Sequence, residues 1–329
     1  MRVSVGVCVF NEQQALPELL RRLRAVLGSI PGGPHEIVVV DDGSKDRTAE
    51  ILYLEAAKKR DITGIVLSRN FGHQAALSAC LDHTSGDVVV VMDGDLQDPP
   101  EQIPLLLQKC QEGYDVVYAR RIRRKEPRWL RACYYIFYRL IATLSDTRLP
   151  LDAGDFGLMS RRVVDEVRRM PEYHRYLRGL RTWVGFRQIG IPIERAERHS
   201  GEPKYSALKL LKLASDGIFS FSIVPLRFAS ILGAVAVFLS LCYALFALYA
   251  KLFLGRSPQG FTALIVAVSF LTGVQLFFMG VAGEYIGRIY EASKGRPVYI
   301  VSHQFGGLRK GVPSTYEYDA AVTVKPGAG

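Results

Sequence analysis

Short runs of β-branched residues alternate with longer amphipathic stretches along the first half of the chain. The runs at 3–9, 36–40, 63–68 and 88–92 are continuous apolar stretches, as expected for strands covered on both faces. The intervening stretches carry leucine at helical spacing, most clearly at 13–28. Strands that alternate with helices predict βαβ units, right-handed crossovers and a mostly parallel sheet. The predicted fold class is therefore α/β.

Polar side chains directly follow each of these four strands. The clusters are Asn11-Glu12, Asp41-Asp42, Asn70 and Asp93-Gly94-Asp95-Leu96-Gln97. Ligands of open α/β sheets bind at the carboxyl ends of the strands, so four such clusters predict one ligand site at that edge. The chain has neither a Gly-x-Gly-x-x-Gly nor a Gly-Lys-Ser/Thr motif, which argues against a dinucleotide site and a P-loop.

The fourth strand ends in a pattern typical of a metal site. Side chains two apart on extended backbone point the same way, so Asp93 and Asp95 are predicted to converge, with Gln97 continuing the row. Oxygen ligands without Cys or His favour Mg²⁺ or Mn²⁺, which complete their shell with phosphate and water. The alternative is a solvated Asp-rich turn. For Asp41 and Asp42 the alternative is a helix N-cap or an Asx-turn.

Further elements of the same kind are predicted between residues 115 and 222. They are strands at 115–119 and 187–195, a turn at 152–160 leading to a strand, and helices at 134–144, 162–170, 176–184 and 206–222. The last helix is amphipathic, which is typical of a helix lying in a membrane interface, although an ordinary packing helix has the same pattern.

A basic run follows the strand at 115–119, with six arginines and a lysine between residues 120 and 131. Such a run forms a solvated loop, a phosphate-binding surface or a nucleic-acid patch. The chain carries no RNA- or DNA-binding motif, so nucleic acid is not expected as a partner.

Two uncharged segments, 228–250 and 261–283, are each long enough to cross a hydrocarbon core of about 30 Å as a helix. Two buried core helices are the alternative, but the remaining residues are too few to supply a partner domain. Lysine and arginine flank the pair on both outer sides, so the positive-inside rule places both ends in the cytosol. Small residues in the second segment permit close helix packing and a homo-oligomer; they are Gly273, Gly280, Gly283 and Gly287.

The composition of the chain indicates its cellular compartment. The chain has 329 residues, a formal charge of +10 and five scattered cysteines without a Cys-x-x-Cys pair. An odd, scattered count argues against a disulfide framework or a zinc site and fits a reducing compartment. The N-terminus enters a strand at once, so no cleavable signal peptide is predicted. We therefore expect a multi-pass protein of the inner (plasma) membrane whose catalytic domain and both termini are cytosolic.

The whole pattern resembles an inverting family 2 glycosyltransferase of GT-A fold, in the polyprenyl-phosphate group. That group includes dolichyl-phosphate mannose synthases and bacterial undecaprenyl-phosphate glucosyl and formamido-arabinosyl transferases. The resemblance extends from residue 3 to about residue 300. It is carried by Val9–Glu12, Val40–Ser44, Arg69–Gly72, Asp93–Gln97, Asp152–Phe156, Trp183–Phe186, and Arg198–Tyr205 followed by the two membrane segments.

The resemblance implies a four-part chain. A GT-A domain (Rossmann-like, mostly parallel sheet) occupies 1–205 and an amphipathic juxtamembrane helix 206–226. Two transmembrane helices occupy 227–290, and a cytosolic C-terminal tail follows at 291–329.

It also implies roles for individual residues. The nucleotide-binding set is Cys8, Phe10, Glu12, Asp41, Asp42, Asn70 and Asp93, and the metal set is Asp93, Asp95 and Gln97. Asp95 and Asp155 are the catalytic candidates, although Asp155 has a second reading, in which it orients a basic residue or the sugar rather than taking a proton. The phosphate and acceptor set is Arg120, Arg123, Arg128, Arg131, Arg198, Lys204 and Tyr205.

The implied reaction moves one sugar from a nucleotide donor, expected to be UDP-linked (UDP-glucose, for example), to polyprenyl phosphate such as undecaprenyl or dolichyl phosphate. The enzymatic alternative is a processive family 2 polysaccharide synthase, but the chain lacks the Gln-x-x-Arg-Trp motif and the extra membrane helices of those enzymes. A hydrolase with paired carboxylates is a further rival. The non-enzymatic alternative is a membrane subunit that binds nucleotide sugar without turnover.

Three positions depart from the resemblance. Cys8 stands where proline is frequent, His73 where lysine is frequent, and Pro203 where serine is common. Because none of them belongs to the metal set, they bear on sugar preference rather than on activity.

Overall fold

The computed structural model describes five stretches of the chain: 1–121, 153–173, 175–193, 224–254 and 260–307. They fall into two compact units. The first unit holds the described residues up to 193 together with those from 296 to 307, and the second holds those from 224 to 295.

An eight-stranded mixed sheet forms the centre of the first unit. Its strands are β1 (Val3–Val9), β2 (Glu36–Asp41), β3 (Ile62–Leu67), β4 (Val88–Asp93), β5 (Val116–Arg121), β6 (Ala153–Ser160), β7 (Gln188–Ile193) and β8 (Val301–Gly306). Their order across the sheet is β7-β5-β6-β4-β1-β2-β3-β8. The pairs β1–β2, β1–β4, β2–β3 and β5–β7 are parallel. The remaining pairs, β3–β8, β4–β6 and β5–β6, are antiparallel.

Helices cover the sheet. In the first unit they are α1 (Leu16–Ser29), α2 (Thr48–Lys58), α3 (His73–His83), α4 (Ile103–Gln111), α5 (Arg161–Arg169) and α6 (Leu177–Trp183). The strand alternation sends side chains to two separate cores. Val5 and Val7 of β1 join the core that contains α1, whereas Cys8 joins the core that contains α3. The predicted α/β fold class is confirmed, and the sheet is mixed beyond its central parallel strands.

The order in which successive strands join the sheet reverses between the parallel neighbours β1 and β4. The sequence β1, β2, β3 steps outward on one side of β1, and β4 then returns to its other side. A crevice at such a switch point is where open α/β sheets bind ligands. The antiparallel β6 begins at this same edge, so its first residues meet the last residues of β4.

Two predicted element assignments were wrong. The segment 152–160 was predicted to be a turn before a strand, but Ala153–Ser160 is itself β6. Its glycines are tolerated because Gly157 lies against the β5 backbone, where an added Cβ would come within 2.7 Å of the Val117 carbonyl oxygen. The segment from 291 was predicted to be a tail, yet Val301–Gly306 pairs with β3.

The second unit contains two long helices, α7 (Val224–Leu254) and α8 (Phe261–Ser293). Both are long and apolar enough to cross a membrane, at Phe228–Phe246 and Phe270–Ser293. At 1.5 Å per residue, the 31 and 33 residues span about 47 and 50 Å, which exceeds a hydrocarbon core of about 30 Å. The first span agrees with the prediction, and the second begins later than the predicted 261.

Candidate active site

The switch point brings Cys8 and Asp93 side by side. They are register partners on β1 and β4, each at the carboxyl end of its strand. Asp155 lies on β6, two residues before Gly157, which pairs with Val91 of β4. Three neighbouring strands therefore deliver a thiol and two carboxylates to one edge of the sheet.

His73 enters this group from the N-terminus of α3. Its Nε2 lies 3.4 Å from Asp155 Oδ2 and 3.5 Å from Asp93 Oδ1, and its Nδ1 lies 3.7 Å from the Cys8 sulfur. Partial burial lowers the pKa of His73, but the hydrogen bond to Asp155 and the nearby charge of Asp93 outweigh it, so the pKa is raised. Burial and the contact with Cys80 raise the pKa of the Cys8 thiol. At neutral pH the group therefore holds an imidazolium and a neutral thiol.

Asp155 is bound by Arg178 of α6 through two parallel contacts. Arg178 Nε donates to Oδ1 and Nη2 donates to Oδ2, both at 2.7 Å. Burial alone raises the pKa of Asp155, but the guanidinium of Arg178 and the imidazole of His73 hold it well below its usual range. A carboxylate in this state orients cations and accepts a proton poorly.

Arg181, one turn along α6, is almost fully buried behind this pair. Its Nη2 donates to the Gly154 carbonyl oxygen at 3.0 Å, and its guanidinium lies over the Tyr118 ring at 5.0 Å. Burial lowers the pKa of Arg181 to about 10, which still leaves it charged at neutral pH. The guanidinium adds positive charge beneath Asp155.

Asp41 and Asp42, predicted to bind the nucleotide, are both buried. Asp42 accepts hydrogen bonds from the Phe71 and Gly72 amides at 2.7 and 3.0 Å, so it fixes the loop that leads to His73. Asp41 Oδ1 accepts from the Ser44 amide and hydroxyl, which is the predicted Asx-turn alternative. Asp41 Oδ2 is buried without a hydrogen-bond partner among the described residues. Burial raises the pKa of Asp41 to about 6.

The loops after β1 and β2 are joined by hydrogen bonds. The Asn11 amide donates to Ser44 Oγ at 2.8 Å, and Asn11 Oδ1 accepts from the Lys45 amide at 2.9 Å. Asn11 has a φ of 57°, a left-handed conformation that costs a non-glycine residue energy. Phe10 and Asn70 are exposed and Glu12 is partly exposed, so these predicted nucleotide-binding residues are accessible at the edge.

The predicted row of metal ligands begins at the last residue of β4. β4 ends at Asp93, and Leu96, which lies between Asp95 and Gln97, adopts a φ of 61°. Asp95 Oδ1 accepts a hydrogen bond from the Gln97 amide at 3.1 Å, which curls the loop. The convergence of Asp93, Asp95 and Gln97 on one ion stays a prediction. Asp93, Asp95 and Gln97 all remain partly exposed at the same strand end.

Arg120 is the one member of the predicted phosphate and acceptor set that the described residues include, and it is exposed at the end of β5. The other members lie outside the described residues; they are Arg123, Arg128, Arg131, Arg198, Lys204 and Tyr205.

The sequence analysis missed three cationic residues of this site, His73, Arg178 and Arg181. His73 was visible only as a departure from a family pattern, and the two arginines only as charges on a predicted helix. α5 and a further segment separate α6 from β6 in the sequence, so no local pattern indicated that Arg178 and Arg181 reach the strand that carries Asp155.

Comparison with known proteins gives two family matches. The Glycosyl transferase family 2 profile matches residues 4–168, and the GtrB C-terminal hairpin profile matches residues 224–289. The first covers the strands β1–β4 and β6 that build the site, and the second covers α7 and most of α8.

Individual relatives match nearly the whole chain. An uncharacterized glycosyltransferase of Bacillus subtilis, YkcC, is 43% identical over 307 residues, covering 93% of this chain and 95% of the relative. The bactoprenol glucosyl transferase of Shigella phage SfV is 39% identical over 312 residues, covering 92% of this chain and 99% of the relative. The solved structure of the mannosyltransferase PcManGT of Pyrobaculum calidifontis matches 89% of this chain and 86% of its own at 18% identity, with a TM-score of 0.46.

Proposed function

The chain belongs to Glycosyl transferase family 2, and from that premise we propose that it transfers one glucose from UDP-glucose to a polyprenyl phosphate. The 39% identity to a bactoprenol glucosyl transferase supports both the sugar and the lipid class. The observation that carries the proposal is the meeting of Asp93, Asp155 and His73 at the sheet's switch point. It occurs in a chain whose family match continues through the hairpin.

The nucleotide half of the donor fits the edge formed by β1 and β2. Glu12 and Asn70 are accessible there, and ionised carboxylates accept hydrogen bonds from ribose hydroxyls and base N–H groups. Asp41, Asp42 and Asn11 hold the loops of this edge in place, so they act by shaping the nucleotide site.

A divalent cation, Mg²⁺ or Mn²⁺, fits the exposed carboxylates beside it. Asp93 is 24% exposed at a strand end and Asp95 is partly exposed in the next loop, which suits an ion that keeps water and phosphate ligands. When bound, the ion neutralises negative charge on the departing diphosphate. His73 and Arg178 hold further positive charge next to that position.

The acceptor needs orientation more than it needs a base. A phosphate monoester is already an anion at neutral pH, because its second pKa is near 6. Asp155, with its pKa held low, keeps the Arg178 guanidinium in a fixed plane, and guanidinium groups bind phosphate bidentately. Attack by the phosphate oxygen on the face opposite the leaving nucleotide inverts the anomeric centre.

The hairpin provides the membrane location that a polyprenyl acceptor requires. β8 follows the second membrane helix and pairs with β3 of the same sheet, which supports both ends of the hairpin lying on one side of the bilayer. Together with the basic flanks of the hairpin, this supports our proposal that the catalytic unit and both termini are cytosolic at the inner membrane.

A single assay tests the proposal. The full chain is purified in detergent and supplied with undecaprenyl phosphate, Mg²⁺ or Mn²⁺, and one nucleotide sugar at a time. We expect UDP-glucose to give a lipid product heavier by one hexose, detected by mass spectrometry. Asp93→Asn should lower kcat at least about 100-fold, because a metal ion stabilises the transition state by several kcal/mol.

Glu112→Gln is the matched control. Glu112 is an exposed carboxylate at the C-terminal end of α4, where it pairs with Lys109. This variant should keep full turnover. A polymeric product would show a processive synthase, and donor binding without any glycolipid from a panel of nucleotide sugars would show a non-catalytic subunit.

A further inference from the structure

Cys8, His73 and Asp93 bring three different kinds of metal-binding group to one point. One donor atom from each, a sulfur, a ring nitrogen and a carboxylate oxygen, lies within 4.8 Å of the other two. Each residue comes from a different element, β1, α3 and β4, so the grouping is fixed by the fold. Thiolate and imidazole ligands favour Zn²⁺, whereas Mg²⁺ favours oxygen alone.

The imidazole of His73 has one ring nitrogen beside the thiol and the other beside two carboxylates. Its Nδ1 faces the Cys8 sulfur at 3.7 Å, and its Nε2 lies 3.4 Å from Asp155 Oδ2 and 3.5 Å from Asp93 Oδ1. Histidines that bind a metal through one ring nitrogen almost always donate the other N–H to a carboxylate or carbonyl, which fixes the ring. Arg178 holds that carboxylate in turn through two contacts of 2.7 Å. The ring is therefore supported from behind while Nδ1 points toward the thiol.

We propose that Cys8, His73 and Asp93 form an inhibitory Zn²⁺ site. Its ligands are the Cys8 thiolate, His73 Nδ1 and an Asp93 oxygen, with water or a phosphate oxygen in the fourth position. Binding releases the thiol proton and the imidazolium proton to solvent, so the bound ion meets a thiolate, a neutral imidazole and a carboxylate. Because Asp93 Oδ1 lies beside Nε2 in the absence of the ion, metal binding requires the Asp93 carboxylate to turn toward Nδ1 and the Cys8 sulfur.

The site overlaps the one assigned to the catalytic cation. Asp93 cannot serve Zn²⁺ in this cluster and Mg²⁺ on the donor diphosphate at the same time, so the two ions compete. Zn²⁺ then inhibits by removing Asp93 from the reaction. This consequence rests on the proposed function, whereas the existence of the site does not.

Co²⁺ replaces Zn²⁺ in thiolate sites and gives a cobalt–thiolate charge-transfer band in the near ultraviolet, so it is the probe for binding. We expect the full chain in detergent to bind one Co²⁺ with this band, and Zn²⁺ to remove it. Cys8→Ser should abolish the band and weaken Co²⁺ binding at least tenfold. Cys110→Ser is the matched control and should keep both, because Cys110 lies in the last turn of α4 and outside the cluster.

Absence of the band in the native chain, or an undiminished band in Cys8→Ser, overturns the proposal. If Cys8→Ser does not fold, His73→Gln takes its place, because it leaves the thiol intact and must still weaken Co²⁺ binding at least tenfold. An unchanged Co²⁺ affinity in His73→Gln would also overturn the proposal.

An activity measurement separates this site from the proposed function. With UDP-glucose, undecaprenyl phosphate and millimolar Mg²⁺, micromolar Zn²⁺ should lower turnover, and more Mg²⁺ should restore it. The cobalt band without any glucosyl transfer would disprove the function and leave the site standing. Transfer that resists Zn²⁺ at concentrations that displace Co²⁺ would disprove the inhibition through Asp93.

Discussion

Asp155 keeps its negative charge in a nearly buried position because Arg178 and His73 bind it from two sides. The sequence analysis left its role open between proton acceptor and orienting group. Its lowered pKa supports the second role, since a carboxylate that resists protonation is a weak base. Catalysis at this position then depends on where Asp155 holds its cations.

Arg178→Gln tests that pairing through stability. The variant leaves a buried carboxylate without its guanidinium, so we expect the free energy of unfolding to fall by about 3 kcal/mol at pH 7. The folded-state pKa of Asp155 lies below its unfolded value, so the stabilisation is present above about pH 4 and is lost as the pH falls further. Chemical denaturation in detergent should show the largest difference from the native chain at neutral pH.

The control is Arg169→Gln, which removes an exposed ion pair with Glu166 on α5 and should change stability little. A difference between native chain and Arg178→Gln that stays the same from pH 7 down to pH 3.5 would contradict the pairing.

For Asp41 we expect the opposite dependence of stability on pH, because burial raises its pKa to about 6. The folded state then holds this proton more tightly than the unfolded state, so stability falls as the pH rises from about 4 to 6 and stays low above that. Asp41→Asn removes the buried charge and keeps an oxygen for Ser44. We expect it to raise the free energy of unfolding at pH 8 by about 2 kcal/mol, from a shift of about two pKa units discounted for relaxation.

Asp42→Asn is the matched comparison next in the chain. Burial raises the pKa of Asp42 too, but both of its oxygens accept backbone amides and an asparagine can serve only one of them, so we expect the lost hydrogen bond to dominate and this variant to destabilise the protein at pH 8. Denaturation midpoints that move the same way in both variants would contradict this difference.

At the level of elements, β8 completes the sheet with residues that follow the membrane hairpin. It pairs with β3 in antiparallel register, and the Phe305 ring packs against Gly64 and edge-on to Tyr53. Just before the strand, the Tyr299 hydroxyl donates to Asp82 of α3 at 2.8 Å. The strand thereby covers an edge of β3 that would otherwise expose unpaired backbone groups.

Phe305→Ala should lower the free energy of unfolding of this unit by about 2 kcal/mol, since the ring is partly buried. Gly64→Ala should also destabilise, because its Cβ would lie 2.1 Å from a Phe305 ring carbon. The double variant tests the contact: Gly64→Ala should cost far less once the ring is gone. Simple addition of the two effects would show that the ring does not lie over Gly64.

At the scale of the molecule, the sheet and the hairpin together set the topology. The strands before and after the hairpin belong to one sheet, so an even number of membrane crossings must separate them. The helices α7 and α8 are long and apolar enough to supply two. The connection between them should therefore lie on the opposite side of the membrane from the catalytic unit.

Cysteine labelling in intact cells checks this topology. Gly260 precedes α8 in an extended conformation that any residue adopts, so Gly260→Cys should react with a membrane-impermeant thiol reagent from outside. Lys294→Cys, at the other end of α8, should react only after the membrane is opened. The native chain supplies the background from its own cysteines, and equal labelling at both positions from outside would refute the arrangement.

The sequence by itself determined the elements and their common edge. Apolar runs and helical leucine spacing depend on local backbone geometry, so β1–β4 and α1–α3 could be predicted to within a few residues. The carboxylates at strand ends followed from the same pattern, because parallel strands must present their carboxyl ends together. The long uncharged segments needed only their length and composition.

Only the tertiary structure decided which side chains meet. His73 and Arg178 lie 105 residues apart in the chain and yet share Asp155, and no periodicity encodes such a contact. The strand β8, which pairs with β3, likewise lies beyond the hairpin in the sequence, because long-range hydrogen bonding determines which strand pairs at the edge of a sheet. Contacts between segments that are distant in the sequence form only when the whole chain folds, so a local sequence pattern does not predict them.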